Sequence, residues 1–175
     1  MNKFFKTVAV FALGLLPAVT FAKNTEAEEV RKIIDKVNQH WQAENKPEVR
    51  SFWDNAAYHT GNMEAYFLTG NEAYRQYSEA WAKHNEWKGA KSNDRSKWKY
   101  SYGESDEYVL FGDYQVCFQT YADLYNIAPE NYKIQRAREV MEYQMSTPQN
   151  DYWWWSDGLY MVCLLYTSDA ADDRI

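Results

Sequence analysis

The stretch WDNAAYHTGNMEAYFLTGNEAYRQYSEAWAKH, residues 53–84, reads as two helices and the turn that joins them. Ala56, Ala57, Met63 and Phe67 supply packing positions for a helix from about Trp53 to Leu68. Thr69-Gly70 ends it, because glycine enters the left-handed conformation that closes a helix without steric cost. Asn71 then caps the next element, where Tyr74, Tyr77, Trp81 and His84 recur at spacings of three and four. Helices joined by so short a turn run antiparallel, so this stretch predicts an αα-hairpin.

The same periodicity extends on both sides. Upstream, Thr25 and Glu28 have capping-box spacing before Val30, Ile33, Ile34, Val37 and Trp41, which share one helical face, and Pro47 closes that element. Downstream, Lys88 to Gly103 is polar and interleaves Trp98, Tyr100 and Tyr102, as a long loop of the functional kind does. Tyr100 to Tyr108 reads as a short extended piece. A fourth helix is expected from near Gly112 to Tyr125, stopping before Pro129. A fifth is expected over about Glu130 to Met145, with Ile134, Ala137, Val140 and Met141 as its core stripe. Pro148 to Asp151 is a further loop, and a sixth helix is expected from around Trp154. The pattern is all-α: hairpins stacked with short turns on one rim and long loops on the other, as in a toroid. An incomplete ring of such hairpins leaves inner and lateral faces uncovered.

The chain has 175 residues, enough for one domain, with apolar residues at 46% and charged ones at 25%, values that exclude a disordered or multi-span membrane protein. A formal net charge of -6 argues against a phosphate-tracking nucleic-acid binder. The aromatic content of 18% is high, and with 4 Pro and 7 Gly the rings sit on regular elements; some must line a surface.

The ends have their own character. Residues 1–22 read as a secretory signal peptide: Lys3 and Lys6 begin it, Val8 to Leu16 is apolar, and Thr20-Phe21-Ala22 places small residues at a cleavage site. This predicts export to a periplasmic or extracellular location, with no membrane span. From Cys163 the text CLLYTSDAADDRI breaks the pattern and is similar to the conceptual translation of a sequencing adapter, so residues 163–175 are expected to be a non-native tail. Without Cys163 only Cys117 remains, which excludes an intrachain disulfide. Cys117 reads as a small buried hydrophobe.

Two carboxylates stand among rings. Asp113 follows Gly112 in GDYQVCFQTYADLY (112–125), and Asp157 lies in DYWWWSDGLYM (151–161). A carboxyl against aromatic walls loses hydration, which raises its pKa and suits it to general-acid work. Flat rings also match the C–H faces of sugars, and two carboxyl groups are the minimum equipment of glycoside chemistry. The same residues equally satisfy a structural role, with Asp113 and Asp157 as helix-start caps and the tryptophans as core. His59 and His84 have no partners at metal-ligand spacing.

Three segments together, FWDNAAYHTGNMEAY (52–66), DYQVCFQTYADLY (113–125) and WWWSDGLYM (153–161), resemble the unsaturated rhamnogalacturonyl hydrolases of glycoside hydrolase family 105, relatives of the unsaturated glucuronyl hydrolases. The resemblance implies an (α/α)6 barrel, of which residues 23–162 would form about the first half. It implies that Asp157 is the general acid/base and Asp113 the second active-site carboxylate, with Tyr58, Trp155 and Met161 lining the substrate pocket. The implied substrate is a lyase-generated oligosaccharide ending in a 4,5-unsaturated uronic acid, hydrated at its double bond without metal or organic cofactor. Phe118 and Tyr114 depart from the family's pattern and predict crowding near Asp113. A non-catalytic helical carbohydrate-binding protein is the alternative those departures leave open, and a helical interaction module with all its rings in the core is a third.

Overall fold

The computed structural model describes residues 16–163. The leader up to residue 15 and the expected non-native tail beyond Cys163 lie outside the described residues. The chain divides into two compact units, one ending at Glu44 and one beginning at Asn45.

The first unit is a single helix, α1, Leu16–Glu44. It runs through both the expected cleavage site at Ala22 and the expected cap at Thr25, so the capping box does not start a helix. Pro17 falls in the first turn, where the missing N–H is tolerated, and residues 18–44 include no glycine or proline to interrupt the backbone ladder. The stripe expected to pack is solvent-exposed, with Val30, Ile33 and Val37 at 47%, 63% and 60%.

Among its described residues the second unit contains four α-helices: α2 Trp53–Thr69, α3 Glu72–His84, α4 Cys117–Ile127 and α5 Gln135–Ser146. No strand occurs among the described residues. The α2–α3 hairpin forms where expected. Gly70 adopts φ 71° and its N–H donates to the Tyr66 carbonyl at 2.7 Å, while the Asn71 side chain accepts from the Ala73 N–H. Ala56 and Met63 are fully buried, but Phe67 is half exposed.

Between the two helices lies a polar knot under rings. His59 stacks on Trp81 with centroids 4.0 Å apart and planes 11° apart, and its Nδ1 bonds the Ser78 hydroxyl at 3.0 Å. The Asn62 amide donates to that same hydroxyl and to the Tyr74 carbonyl. Burial lowers the His59 pKa to about 3, so the imidazole is neutral.

The core joins α2, α3 and α4 through Met63, Trp81, Phe118, Tyr121 and Leu124, with Val140 and Met141 arriving from α5. Cys117 is buried with them, and its thiol is pushed well above the usual range by that burial. Lys133, in the short 3-10 turn Asn131–Lys133, is 3% exposed. Its ammonium donates to the Ala128 carbonyl at 2.8 Å and the Leu124 carbonyl at 3.4 Å, satisfying the open end of α4.

The region from Lys88 to Phe111 is a long loop, as expected, but an ordered one. A 3-10 turn occupies Arg95–Lys97, and buried Arg136 of α5 donates to the Ser92 carbonyl and to the Asn93 side chain. The extended piece expected over residues 100–108 is instead the arm of an irregular bend. It is closed by the Lys99 N–H on the Glu107 carbonyl and the Leu110 N–H on the Lys99 carbonyl.

Candidate active site

The long loop delivers the chain into a 3-10 turn, Gly112–Tyr114, that brings Asp113 to the helical body. Gly112 is required there by close approach: a Cβ on it would lie 2.7 Å from Cζ2 of Trp155 and 3.7 Å from the sulfur of Met161. Phe111 is buried and tilts against Trp155 with centroids 5.2 Å apart. The backbone before Asp113 is therefore pressed against an aromatic and thioether wall contributed by residues 155 and 161.

The other carboxylate arrives on a turn. The expected sixth helix begins later than Trp154, as a single π turn over Leu159–Cys163. Asp157 precedes it; its carbonyl accepts from the Met161 N–H at 3.1 Å, and the Gly158 N–H donates to the Trp155 carbonyl. Gln119 on α4 pins this segment from below, its amide donating to the Tyr160 carbonyl at 2.8 Å and the Met161 carbonyl at 3.1 Å.

Asp113 is 8% exposed, and its pKa is raised from 3.8 to about 6, first by burial, then by the negative charge of Asp157 and that of Glu104. Asp113 is not a helix cap: Val116 stands at the N-cap of α4, without a side-chain cap bond. The Asp113 carboxyl is instead buried without a hydrogen-bond partner among the described residues, which is the environment that favours its protonated form.

Of the expected site residues, Asp113, Asp157, Trp155 and Met161 converge. Tyr58 lies on α2 in the His59 cluster, edge-on to His59 at 5.4 Å and to Tyr77 of α3 at 6.1 Å. The expectation of a dehydrated Asp157 is corrected: its side chain is exposed, and the desolvation falls on Asp113. The three tryptophans leave it exposed: Trp154, edge-on to Trp155 at 5.5 Å, is itself 65% exposed, while Trp153 and Trp155 are partly buried.

The departures at Phe118 and Tyr114 do not crowd the carboxyl in the way expected. Phe118 is in the core against Tyr121. Tyr114 packs edge-on to Phe52 at 4.9 Å and its hydroxyl donates to the Glu104 carbonyl at 2.8 Å, so it braces the loop. Glu104 itself is held by Arg50 at 2.6 Å. Sequence reasoning did not single out Glu104 or Gln119. Glu104 is one acid among several in a polar loop, and no spacing marks it as a neighbour of Asp113.

A family model described as Glycosyl Hydrolase Family 88 matches residues 26–170. The chain belongs to glycosyl hydrolase family 88. A solved structure of "Glycosyl hydrolase family 88 from Bacteroides vulgatus" is 62% identical, with a TM-score of 0.81, over 82% of this chain and 41% of that one. A second, described as a polysaccharide lyase, is 68% identical with a TM-score of 0.79, over 82% of this chain and 40% of that one. The chain thus spans about 40% of the length of these family 88 and lyase structures, and its helices match a partial helical toroid of the family 88 fold. No curated protein matches the chain.

Proposed function

We propose that this protein acts as a glycosidase on lyase-generated oligosaccharides, removing a terminal 4-deoxy-4,5-unsaturated uronic acid by hydrating its double bond. The observation that carries the reading is the unequal carboxyl pair: Asp113 buried on the turn that Gly112 seats against Trp155 and Met161, and raised to about 6, with Asp157 exposed and its charge acting on Asp113. Two carboxyls held in unlike environments take unlike roles in one site.

The reaction needs a proton at C4 and water at C5 of the unsaturated sugar. Asp157 is the group a substrate can reach, so it donates the proton to C4. The electron pair of the double bond takes the proton, and the cation at C5 is stabilised by the ring oxygen. Asp157, now ionised, accepts a proton from the water that adds at C5. The resulting hemiketal opens and releases the attached sugar. Asp113 holds the sugar hydroxyls, and Trp155 and Met161 form the apolar wall. No step uses a metal or organic cofactor.

Rhamnogalacturonan-type substrates are the finer part of the proposal, supported by the three segments quoted above. Export is proposed from residues 1–22, and the chain is read as the N-terminal portion of a longer catalytic domain. The test follows the ultraviolet band of the conjugated double bond when the full-length protein meets an unsaturated rhamnogalacturonan disaccharide. Hydration removes the band, and Asp157→Asn should abolish that loss; a variant retaining more than about a tenth of wild-type turnover would refute the assignment. A band that stays constant indicates a binding protein without turnover. A band that grows on an intact polysaccharide indicates lyase chemistry, the activity in the description of the 68%-identical structure.

A further inference from the structure

The wall beside Asp113 does not stop at Trp155. Phe111 packs on Trp155 at 5.2 Å, and Tyr102 meets Phe111 edge-on at 5.9 Å. The inner ring, Phe111, is 4% exposed, whereas Tyr102 at the outer end is 70% exposed. A row of rings thus runs from the turn that carries Asp113 to the solvent and ends in one that is largely open.

Tyr102 is also held in place. Its loop is closed by the Lys99 and Leu110 hydrogen bonds described above, the Tyr114 hydroxyl holds the Glu104 carbonyl, and the Lys91 N–H donates to the Asp106 carboxylate at 3.0 Å. Gly103 lets the bend tighten, since a Cβ there would lie 1.9 Å from Cζ of Tyr108. The loop stands beside the site through the contacts of Tyr102 with Phe111 and of Phe111 with Trp155. An exposed ring on a pre-formed loop loses little freedom on binding.

We infer that Tyr102 is a specificity-determining platform, stacking on the apolar face of the sugar attached to the unsaturated uronate. This rests on the function proposed above, with the uronate itself against Trp155. Trp155 would meet the residue that reacts, and Tyr102 the one that leaves.

The test compares two substrates of the full-length protein: an unsaturated disaccharide, and the same unsaturated uronate bearing only a methyl aglycone. Tyr102→Ala should raise KM for the disaccharide about ten-fold, the effect of uncovering roughly 50 Å² of apolar ring face. Its kcat should be little changed, and neither constant should move for the methyl glycoside. Tyr102→Phe keeps the ring and should behave as wild type. Equal effects on both substrates, no effect on either, or failure of Phe to rescue would overturn the inference while leaving the hydration reading intact. Wild-type protein that consumes neither substrate would sink both.

Discussion

Replacing Asp113 with Asn removes a carboxyl whose ionisation the fold disfavours, and the consequence is a change in how stability depends on pH. Its pKa is about 6 in the folded chain against an ordinary 3.8. Between those values the folded protein keeps a proton that the unfolded chain has released. The contribution is therefore fully present below the lower value and is lost as pH rises through the upper one. A shift of this size has a ceiling of about 3 kcal/mol. Water reaches the rim of the site beside exposed Asp157, and screening reduces the contribution to about 1 kcal/mol. Asparagine carries no such loss and, because the carboxyl has no hydrogen-bond partner among the described residues, it breaks no bond. Relative to wild type, Asp113→Asn should gain about 1 kcal/mol between about pH 4 and about pH 7. For a chain of this length that is a growing difference of about 2–4 °C in Tm.

Thermal unfolding followed by circular dichroism across that range measures it. Asp123 is raised to about 6 as well, by burial and by Glu64, but it is present in both proteins and cancels in the comparison. A Tm difference that does not change with pH would refute the reasoning, as would a variant that loses stability with rising pH as steeply as wild type.

Gln119→Leu should loosen the Asp157 segment by removing both bonds to the Tyr160 and Met161 carbonyls, lowering kcat about ten-fold on an unsaturated disaccharide. A kcat within about a factor of two of wild type would show that the segment needs no such pin. Lys133→Ala leaves the end of α4 without its buried donor and should cost about 2 kcal/mol in urea unfolding. The His59 ring, held neutral by burial, should show no titration in its NMR resonances down to about pH 4, and ordinary behaviour near 6.5 would contradict its burial.

The α2–α3 hairpin was legible because its determinants are local. A glycine at φ 71° and an asparagine cap act within a few residues, and a buried stripe repeats within one helix. The core positions Ala137, Val140 and Met141 of α5 were legible for the same reason. The start of α1 was not, since a capping pattern at Thr25 has no force inside a helix that continues through it. The late start of the last turn also escaped, because the ring-rich residues 152–158 are held by tertiary contacts to Gly112 and Gln119.

By itself the sequence determined the all-α class, the hairpin order, and the identity of the two carboxyls set among rings. The tertiary structure alone decided which of them is sheltered. Neighbouring tryptophans in a chain promise dehydration only if their rings fold over the carboxyl; here Asp157 stays exposed beside them. Asp113, with one flanking tyrosine in sequence, is buried instead, on a turn whose Gly112 packs against residues from more than 40 positions away. Hydration is lost to whatever packs in space, and proximity along the backbone does not settle what that is.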